Sequence, residues 1–305
     1  MKRINKFTMK WLVAGMLTVN LISCTEAVEL DDAKVTDMCL EDEGILKSVT
    51  NNSKCFDKNI QKYTFPNDVN KTSVTKTEEI DDRTCFANYY QISEDNTTKG
   101  VYKLAAGTNH IDNLQPRIER ASYTVNSATS GKYVKISGYV TIKRAGYISD
   151  SYPREDIRDG AGTYIMQAKG KHGPDANGNN QGSSDPAICL LVAKPIFSGS
   201  TQVSFNIYRE QIITRGGSGL GGRKLVYLTN IPANTRKFVR MENGFKKDSR
   251  GNLVHYVNVR IGGTDYNWNV PSPERALQAK IRFGAYRCKG GEAEILWDGM
   301  SQSYN

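Results

Sequence analysis

The strongest constraint on this chain is a rhythm. Ten short runs alternate apolar and polar residues, and no segment carries the long apolar stripe of an amphipathic helix. The runs are Gly100–Leu104, Arg117–Val125, Tyr133–Lys143, Thr163–Lys169, Ala187–Ala193, Gln202–Ile207, Lys224–Thr229, Val254–Ile261, Gln278–Tyr286 and Glu292–Trp297. Turn signals separate them, among them Ser130-Gly131, Asn177-Gly178 and Ser249-Arg250-Gly251-Asn252. Side chains of a strand point alternately to opposite faces, so each run has one side fit for a core and one fit for water. Strands of this number and spacing predict an all-β fold, a sandwich or jelly roll of two antiparallel sheets. The roughly 220 residues from Cys85 onward suffice for a single core of that kind.

The run Lys280-Ile281-Arg282-Phe283-Gly284-Ala285-Tyr286-Arg287 divides most sharply. Ile281, Phe283 and Ala285 form its apolar side. Lys280, Arg282, Gly284 and Tyr286 form the other: two cations, a residue without bulk and a phenol. Exposed Lys and Arg are ordinary on a solvated face. A glycine in mid-strand is not, because it weakens the strand and often marks the close approach of a ligand. Read that way, the polar side is the floor of a cleft for an anionic substrate.

The N-terminus lies outside the fold. Lys2, Arg3, Lys6 and Lys10 precede a short apolar stretch, Trp11 to Ile22, and then Leu21-Ile22-Ser23-Cys24. The apolar stretch is short for a membrane span, and the pattern is that of a bacterial lipoprotein signal over residues 1–23, cut before Cys24. Glu26, Glu29, Asp31 and Asp32 then resemble the tether of surface-exported lipoproteins. The expectation is a protein lipid-anchored through Cys24 to the outer membrane, on its periplasmic face or at the cell surface. Residues 24–80, polar and without period, read as tether and irregular lead-in, and residues 81–305 as the folded domain.

Charge and cysteines narrow the partners. The formal net charge is +9, and four positive charges leave with the signal, so the mature chain carries +5. That mild excess fits an acidic partner, while the spread of Lys and Arg argues against nucleic acid, as does export. Of six cysteines, Cys24 takes the lipid; Cys39, Cys55, Cys85, Cys189 and Cys288 remain, an odd number that leaves at least one free thiol. Cys55 with Cys85 is the favoured pair. No Cys or His spacing suggests a zinc site, so neither metal nor cofactor is expected, and the working unit is taken as a monomer.

Two stretches imitate nucleotide and calcium motifs. Gly217-Ser218-Gly219-Leu220-Gly221-Gly222 satisfies GxGxxG, but no strand–loop–helix unit surrounds it, so it reads as a flexible loop beside the cleft. The loop from Asp175 to Asn179 has Asn180 where a calcium loop needs Gly and Pro186 where it needs Glu, and reads as solvated.

Three strands share one device. Arg117 and Glu119 lie on one face of Arg117-Ile118-Glu119-Arg120-Ala121. Gln167 and Lys169 lie on one face of Tyr164-Ile165-Met166-Gln167-Ala168-Lys169-Gly170. Arg282 and Tyr286 share the third. The order R-x-E, then Q-x-(basic)-G, then (K/R)-x-G-x-Y resembles the jelly-roll polysaccharide lyases of the alginate lyase family, family 7, and their heparin-lyase relatives. Those carry R-x-E-L, Q-x-H-G and K-A-G-x-Y on the concave sheet of a concanavalin-like sandwich. The resemblance covers about residues 100 to 299 and implies that fold for this chain. It departs from the pattern at Lys169, where the family has His, with His172 three residues on, and at Arg120, where an apolar residue is usual.

What the resemblance implies is β-elimination on a uronate-containing anionic polysaccharide, alginate or glucuronan-like. The proton on C5 of the uronate is removed and the 4-linked sugar leaves. The proton becomes acidic once the carboxylate is neutralised, which Arg117 and Gln167 would do through charge-assisted hydrogen bonds. Lys169 among Arg117, Lys280 and Arg282 is expected to have a lowered pKa by like-charge repulsion, which suits a base. Tyr286 would protonate the leaving oxygen, and is itself an alternative base. Glu119 would orient Arg117, and Lys280 and Arg282 would hold substrate. The competing expectation is a non-catalytic glycan-binding lipoprotein on the same sandwich, for which Lys169 in place of His is the best argument. A laminarinase-like hydrolase would need E-x-D-x-(x)-E, and Glu292-Ala-Glu294 lacks the third carboxylate.

Overall fold

The computed structural model describes residues 63–64, 79–81, 87–105, 117–146, 162–173, 187–215, 223–287 and 292–305. The described residues hold fifteen strands: β1 Tyr63–Thr64, β2 Glu79–Asp81, β3 Ala87–Glu94, β4 Thr97–Leu104, β5 Arg117–Ala121, β6 Tyr133–Arg144, β7 Gly162–Lys169 and β8 Ile188–Ser198. The series continues with β9 Thr201–Ile212, β10 Arg223–Pro232, β11 Lys237–Lys247, β12 Leu253–Ile261, β13 Thr264–Val270, β14 Lys280–Arg287 and β15 Ala293–Tyr304. They form two antiparallel sheets, one ordered β1-β2-β5-β14-β7-β8-β9-β10 and the other β13-β12-β11-β6-β15-β4-β3. This is the two-sheet jelly roll that the alternation predicts.

The inner faces of both sheets meet in one core. Ile136, Val140 and Ile142 of β6, Met241 of β11 and Val257 of β12 face Ile118 of β5, Met166 and Ala168 of β7, and Ile281, Phe283 and Ala285 of β14. An aromatic chain crosses between the layers: Tyr89 on Tyr102 at 5.1 Å, Tyr102 on Phe283 at 6.0 Å, and Phe283 edge-on to Trp297 at 5.6 Å. Emptying such a position typically costs about 3–5 kcal/mol, so the chain fixes β14 in depth and in register. The apolar side of β14 therefore holds its polar side in place.

Five strands went unread in the sequence. β11 carries Asn243 at an inward position between Met241 and Phe245, which interrupts its apolar period. β13 is an edge strand with a polar outer side. β3 pairs with β4 at the far edge of the seven-stranded sheet. β1 and β2 extend the eight-stranded sheet beside β5, and all but Asp81 of them lies within the stretch read as tether and lead-in. The lipoprotein signal, Cys24, the Cys55–Cys85 pair, the GxGxxG stretch and the calcium-like loop lie outside the described residues.

Candidate active site

The seven residues singled out in sequence come together. β5, β14 and β7 are neighbours in the eight-stranded sheet. Across them Arg117 faces Tyr286, Glu119 faces Gly284, Arg282 faces Gln167, and Lys280 faces Lys169. Residues directly opposite in an antiparallel pair project to the same side, so all seven lie on the outer face, opposite the core.

Gly284 holds its place for a reason other than the expected one. Its φ of +139° is one that side chains rarely adopt, and an added Cβ would meet the carbonyl oxygen of Ile118 and come to 2.9 Å from Glu119 Cα. The pairing of β14 with β7 also shifts between Phe283 and Tyr286. Gly284 thus lets β14 lie close against the backbone of β5 at the point where its pairing with β7 is irregular, rather than making room for a ligand, which corrects the reading that glycine there marks substrate. Gly170, at the end of β7, is likewise closed in, by the backbone of Gln278 and Ala279.

β7 has an irregularity of its own. Its pairing with β8 shifts between Tyr164 and Met166, and the adjacent Ile165 and Met166 both enter the core. The extra residue turns Tyr164 to the side of Gln167 and Lys169. Tyr164 then packs on Tyr286 at 5.4 Å and donates its hydroxyl to Glu210 of β9. Arg223 of β10 lies 3.6 Å from the other oxygen of Glu210. Alternation alone puts Tyr164 on the opposite face from Gln167, so sequence reasoning missed it, and Glu210 and Arg223 with it.

The hydrogen bonds define the groups further. Gln167 Nε2 donates to Glu119 Oε1 at 2.5 Å, and Arg282 Nη1 lies 3.8 Å from Glu119 Oε2. That carboxylate fixes which end of the Gln167 amide is the donor and leaves its second N–H available. Cys189 Sγ approaches Gln167 Oε1 at 3.8 Å. The Arg117 guanidinium lies over the ring of Tyr286, 4.7 Å from its centroid, a cation–π contact that steadies both. Arg117, Glu119, Gln167 and Lys169 are buried, whereas Lys280, Arg282 and Tyr286 are half-buried. Arg120, the second departure from the expected motif, is buried opposite Phe283 on the core side of β5. His172 is fully buried, its Nδ1 2.9 Å from the carbonyl oxygen of Gly173.

A support comes from the other sheet. Asn243 of β11 reaches through the core and donates from Nδ2 to the carbonyl oxygens of Lys169, at 3.0 Å, and Lys280, at 3.1 Å. Its Oδ1 lies 2.8 Å from His255 Nε2, and His255 Nδ1 lies 2.8 Å from Arg215 Nη2. Burial first, and the Arg215 guanidinium second, hold the His255 imidazole well below its usual range. The ring is therefore neutral. An arginine only donates, so Nδ1 carries the lone pair and Nε2–H donates to Asn243. The network ties together the two strand ends that carry the paired lysines.

Chemically, the face combines hydrogen-bond donors and cations suited to a carboxylate, an amine, and a phenol held against a guanidinium. Residues 39–305 match the family model described as PL28 ulvan lyases. An ulvan lyase of Nonlabens ulvanivorans is 41% identical over 228 residues, 72% of this chain and 40% of that protein. An endo-acting ulvan lyase of Formosa agariphila is 40% identical over 245 residues, 78% of this chain and 44% of that protein. The chain thus spans less than half the length of the curated relatives it matches. An alginate lyase of Pseudomonas aeruginosa is similar in structure with a TM-score of 0.48 at 13% identity, over 71% of this chain and 86% of that one, too remote a likeness to bear on substrate.

Proposed function

The chain belongs to the PL28 ulvan lyase family, and on that premise we propose that it cleaves ulvan, an anionic polysaccharide, by β-elimination at a uronate. The family replaces the family 7 expected from the motifs, and ulvan replaces alginate or glucuronan as the proposed substrate. The observation that carries the chemistry is the convergence of Arg117, Gln167, Lys169 and Tyr286 on one face of three adjacent strands.

In this reading Arg117 and Gln167 hold the substrate carboxylate. Their donors strengthen as charge moves onto it, which is where the barrier to removing the C5 proton is lowered. Lys169 takes that proton. As base it must act in its neutral form. The electron pair from the C5–H bond forms the C4–C5 double bond as the bond from C4 to the leaving oxygen breaks, and Tyr286 gives its phenolic proton to that oxygen. Glu119 orients Gln167 and Arg282, and Lys280 and Arg282 supply positive charge along the cleft. No step calls for a cofactor. The protein acts outside the cytoplasm, anchored through Cys24, a proposal supported by the Leu21–Cys24 pattern; native mass spectrometry that finds an unmodified residue 24 overturns it.

The test is to incubate the purified protein with ulvan, alginate and glucuronan and follow the ultraviolet absorbance of the unsaturated product. Absorbance should rise with ulvan. A rise with alginate or glucuronan and none with ulvan overturns the substrate, and no rise with any uronate polymer overturns the reaction.

A further inference from the structure

The outer face of the eight-stranded sheet does not end at the candidate catalytic residues. Read across the strands, the pairing runs Arg117 to Tyr286, Tyr286 to Tyr164, Tyr164 to Leu191, Leu191 to Tyr208, and Tyr208 to Tyr227. Each step joins residues directly opposite one another, so the six side chains stand in a single line on one face. Four are phenols and one is leucine. The line passes from the candidate site on β5, β14 and β7 to the edge strand β10, with four inter-strand spacings, about 19 Å, separating Tyr286 from Tyr227.

This line is apolar where a solvated face is not. Tyr164, Cys189, Leu191 and Ala193 form a buried cluster separate from the main core, with Tyr208, Leu225 and Tyr286 packed against it. The second row beside it carries polar groups at Arg282, Gln167 and Glu210, with Cys189 between the last two and Leu225 at its end. Tyr208 and Tyr227 meet edge-on at 5.7 Å, and Tyr227 is 55% exposed at the sheet edge. A large exposed ring at the end of a partly buried aromatic line is positioned for a ligand rather than for the fold.

We propose that Tyr208 and Tyr227 are substrate-binding residues that hold sugar rings of the polysaccharide beyond the bond that is cleaved. The proposal rests on the lyase reading of the site and deepens it. Sugar rings present C–H faces that pack on aromatic rings and hydroxyls that reach the polar row alongside. The line is continuous with Tyr286, so a chain whose scissile bond lies there continues naturally over Leu191 to the edge. Its length accommodates several sugar rings, which makes binding grow with chain length up to the edge strand. The enzyme then favours internal bonds of long chains over short fragments.

The experiment uses the full protein and two readouts. Retardation in a native gel containing ulvan reports binding, and absorbance of the unsaturated product reports chemistry. Tyr227→Ala should abolish most of the retardation and raise KM for polymer about tenfold, the effect of removing a well-placed aromatic anchor. KM for the shortest oligosaccharide that is cleaved should change less than twofold. Tyr227→Phe, which keeps the ring, should restore both retardation and KM. Equal effects of Tyr227→Ala on polymer and on the shortest substrate, or none on either, overturn the proposal. If wild type produces no absorbance with any polymer, the lyase reading fails by itself, and the gel still decides whether the aromatic line binds polysaccharide.

Discussion

The outer faces of the two sheets use the same sequence rhythm for opposite ends. On the seven-stranded sheet, charges stand in pairs of opposite sign: Arg240 with Asp265 at 3.2 Å, Arg260 with the same Asp265 at 3.5 Å, Lys135 with Glu242 at 3.8 Å and Lys103 with Glu294 at 3.1 Å are partly exposed, and the buried Lys99 and Asp298 each meet a more exposed partner, Glu94 and Arg236. On the eight-stranded sheet Arg117, Lys169, Lys280 and Arg282 share one face with a single carboxylate among the seven site residues, Glu119, and three of those five residues are buried. A protein that needed only solubility would build the first face twice. Burying like charges together is costly, and the cost becomes useful where an anion is to arrive, because its carboxylate then completes the site. Alternation of apolar and polar residues therefore identifies a strand. Whether its polar side is a surface or a site depends on what the neighbouring strands bring.

One substitution made on both faces tests this most strongly. Glu119→Gln keeps the shape of the side chain but removes the negative charge beside Arg282. Leaving buried cations without it should destabilise the fold by about 3 kcal/mol. Glu242→Gln, where the carboxylate accepts from Tyr256 at 2.8 Å and faces Lys135, should cost less than about 1 kcal/mol. Urea midpoints of the two variants measure the difference, and equal shifts would break the comparison.

The next effect is catalytic. Arginine keeps the charge of lysine but is never deprotonated in proteins. If Lys169 is the base, Lys169→Arg should lose at least about a hundredfold in turnover while still binding ulvan. Affinity has to be measured alongside rate, since arginine's bulk can misplace substrate. Near-normal turnover would remove Lys169 from the base role and hand it to Tyr286.

These residues were legible in sequence because β5, β7 and β14 each keep the strand period where the motifs lie. Ile118, Met166 and Phe283 mark the core side, and the opposite side follows. What was not legible depends on departures from that period. The extra residue at Ile165 brings Tyr164 onto the site, and nothing local distinguishes it from ordinary alternation. Gly284 was visible, but the oxygen of Ile118 that requires it lies on another strand. Asn243 breaks the apolar pattern of β11 because it serves β7 and β14 across the core, so the feature that hid the strand is the feature that supports the site. Glu210 and Arg223 belong to strands that were anticipated in shorter form, Gln202–Ile207 and Lys224–Thr229, and both fell just beyond the expected ends.

The cross-sheet network gives a pH dependence that the outer charge pairs do not. His255 is neutral and buried, with its affinity for protons lowered in the folded state. Below the ordinary histidine pKa of about 6.5 the unfolded chain takes up a proton that the folded chain resists. The stabilisation is therefore complete above that pH and is lost progressively as pH falls toward the lowered value. Protonation at Nδ1 would also remove the acceptor for Arg215 and set two cations side by side. Urea midpoints measured between pH 7.5 and 5 should fall for wild type and fall less for His255→Gln. An unchanged slope in that variant would assign the acid sensitivity elsewhere.

The smallest expected effect is on the seven-stranded sheet and sharpens the comparison by being small. Arg240→Ala removes one arm of a pair whose side chains are 36% and 46% exposed. Water already solvates both charges, so the attraction gained is slight, and holding the long arginine side chain in place costs entropy. Asp265 also keeps Arg260 at 3.5 Å after the change. The loss should be within about 0.5 kcal/mol, and it should shrink further at high salt because exposed charges are screened. Turnover on ulvan should be unaffected, since β11 presents Arg240 on the face turned away from the core and from the other sheet. A loss above about 1 kcal/mol that persists in salt would mean that the Arg240–Asp265 pair sits in a low-dielectric setting, and its contrast with the charges around Glu119 would then be one of degree.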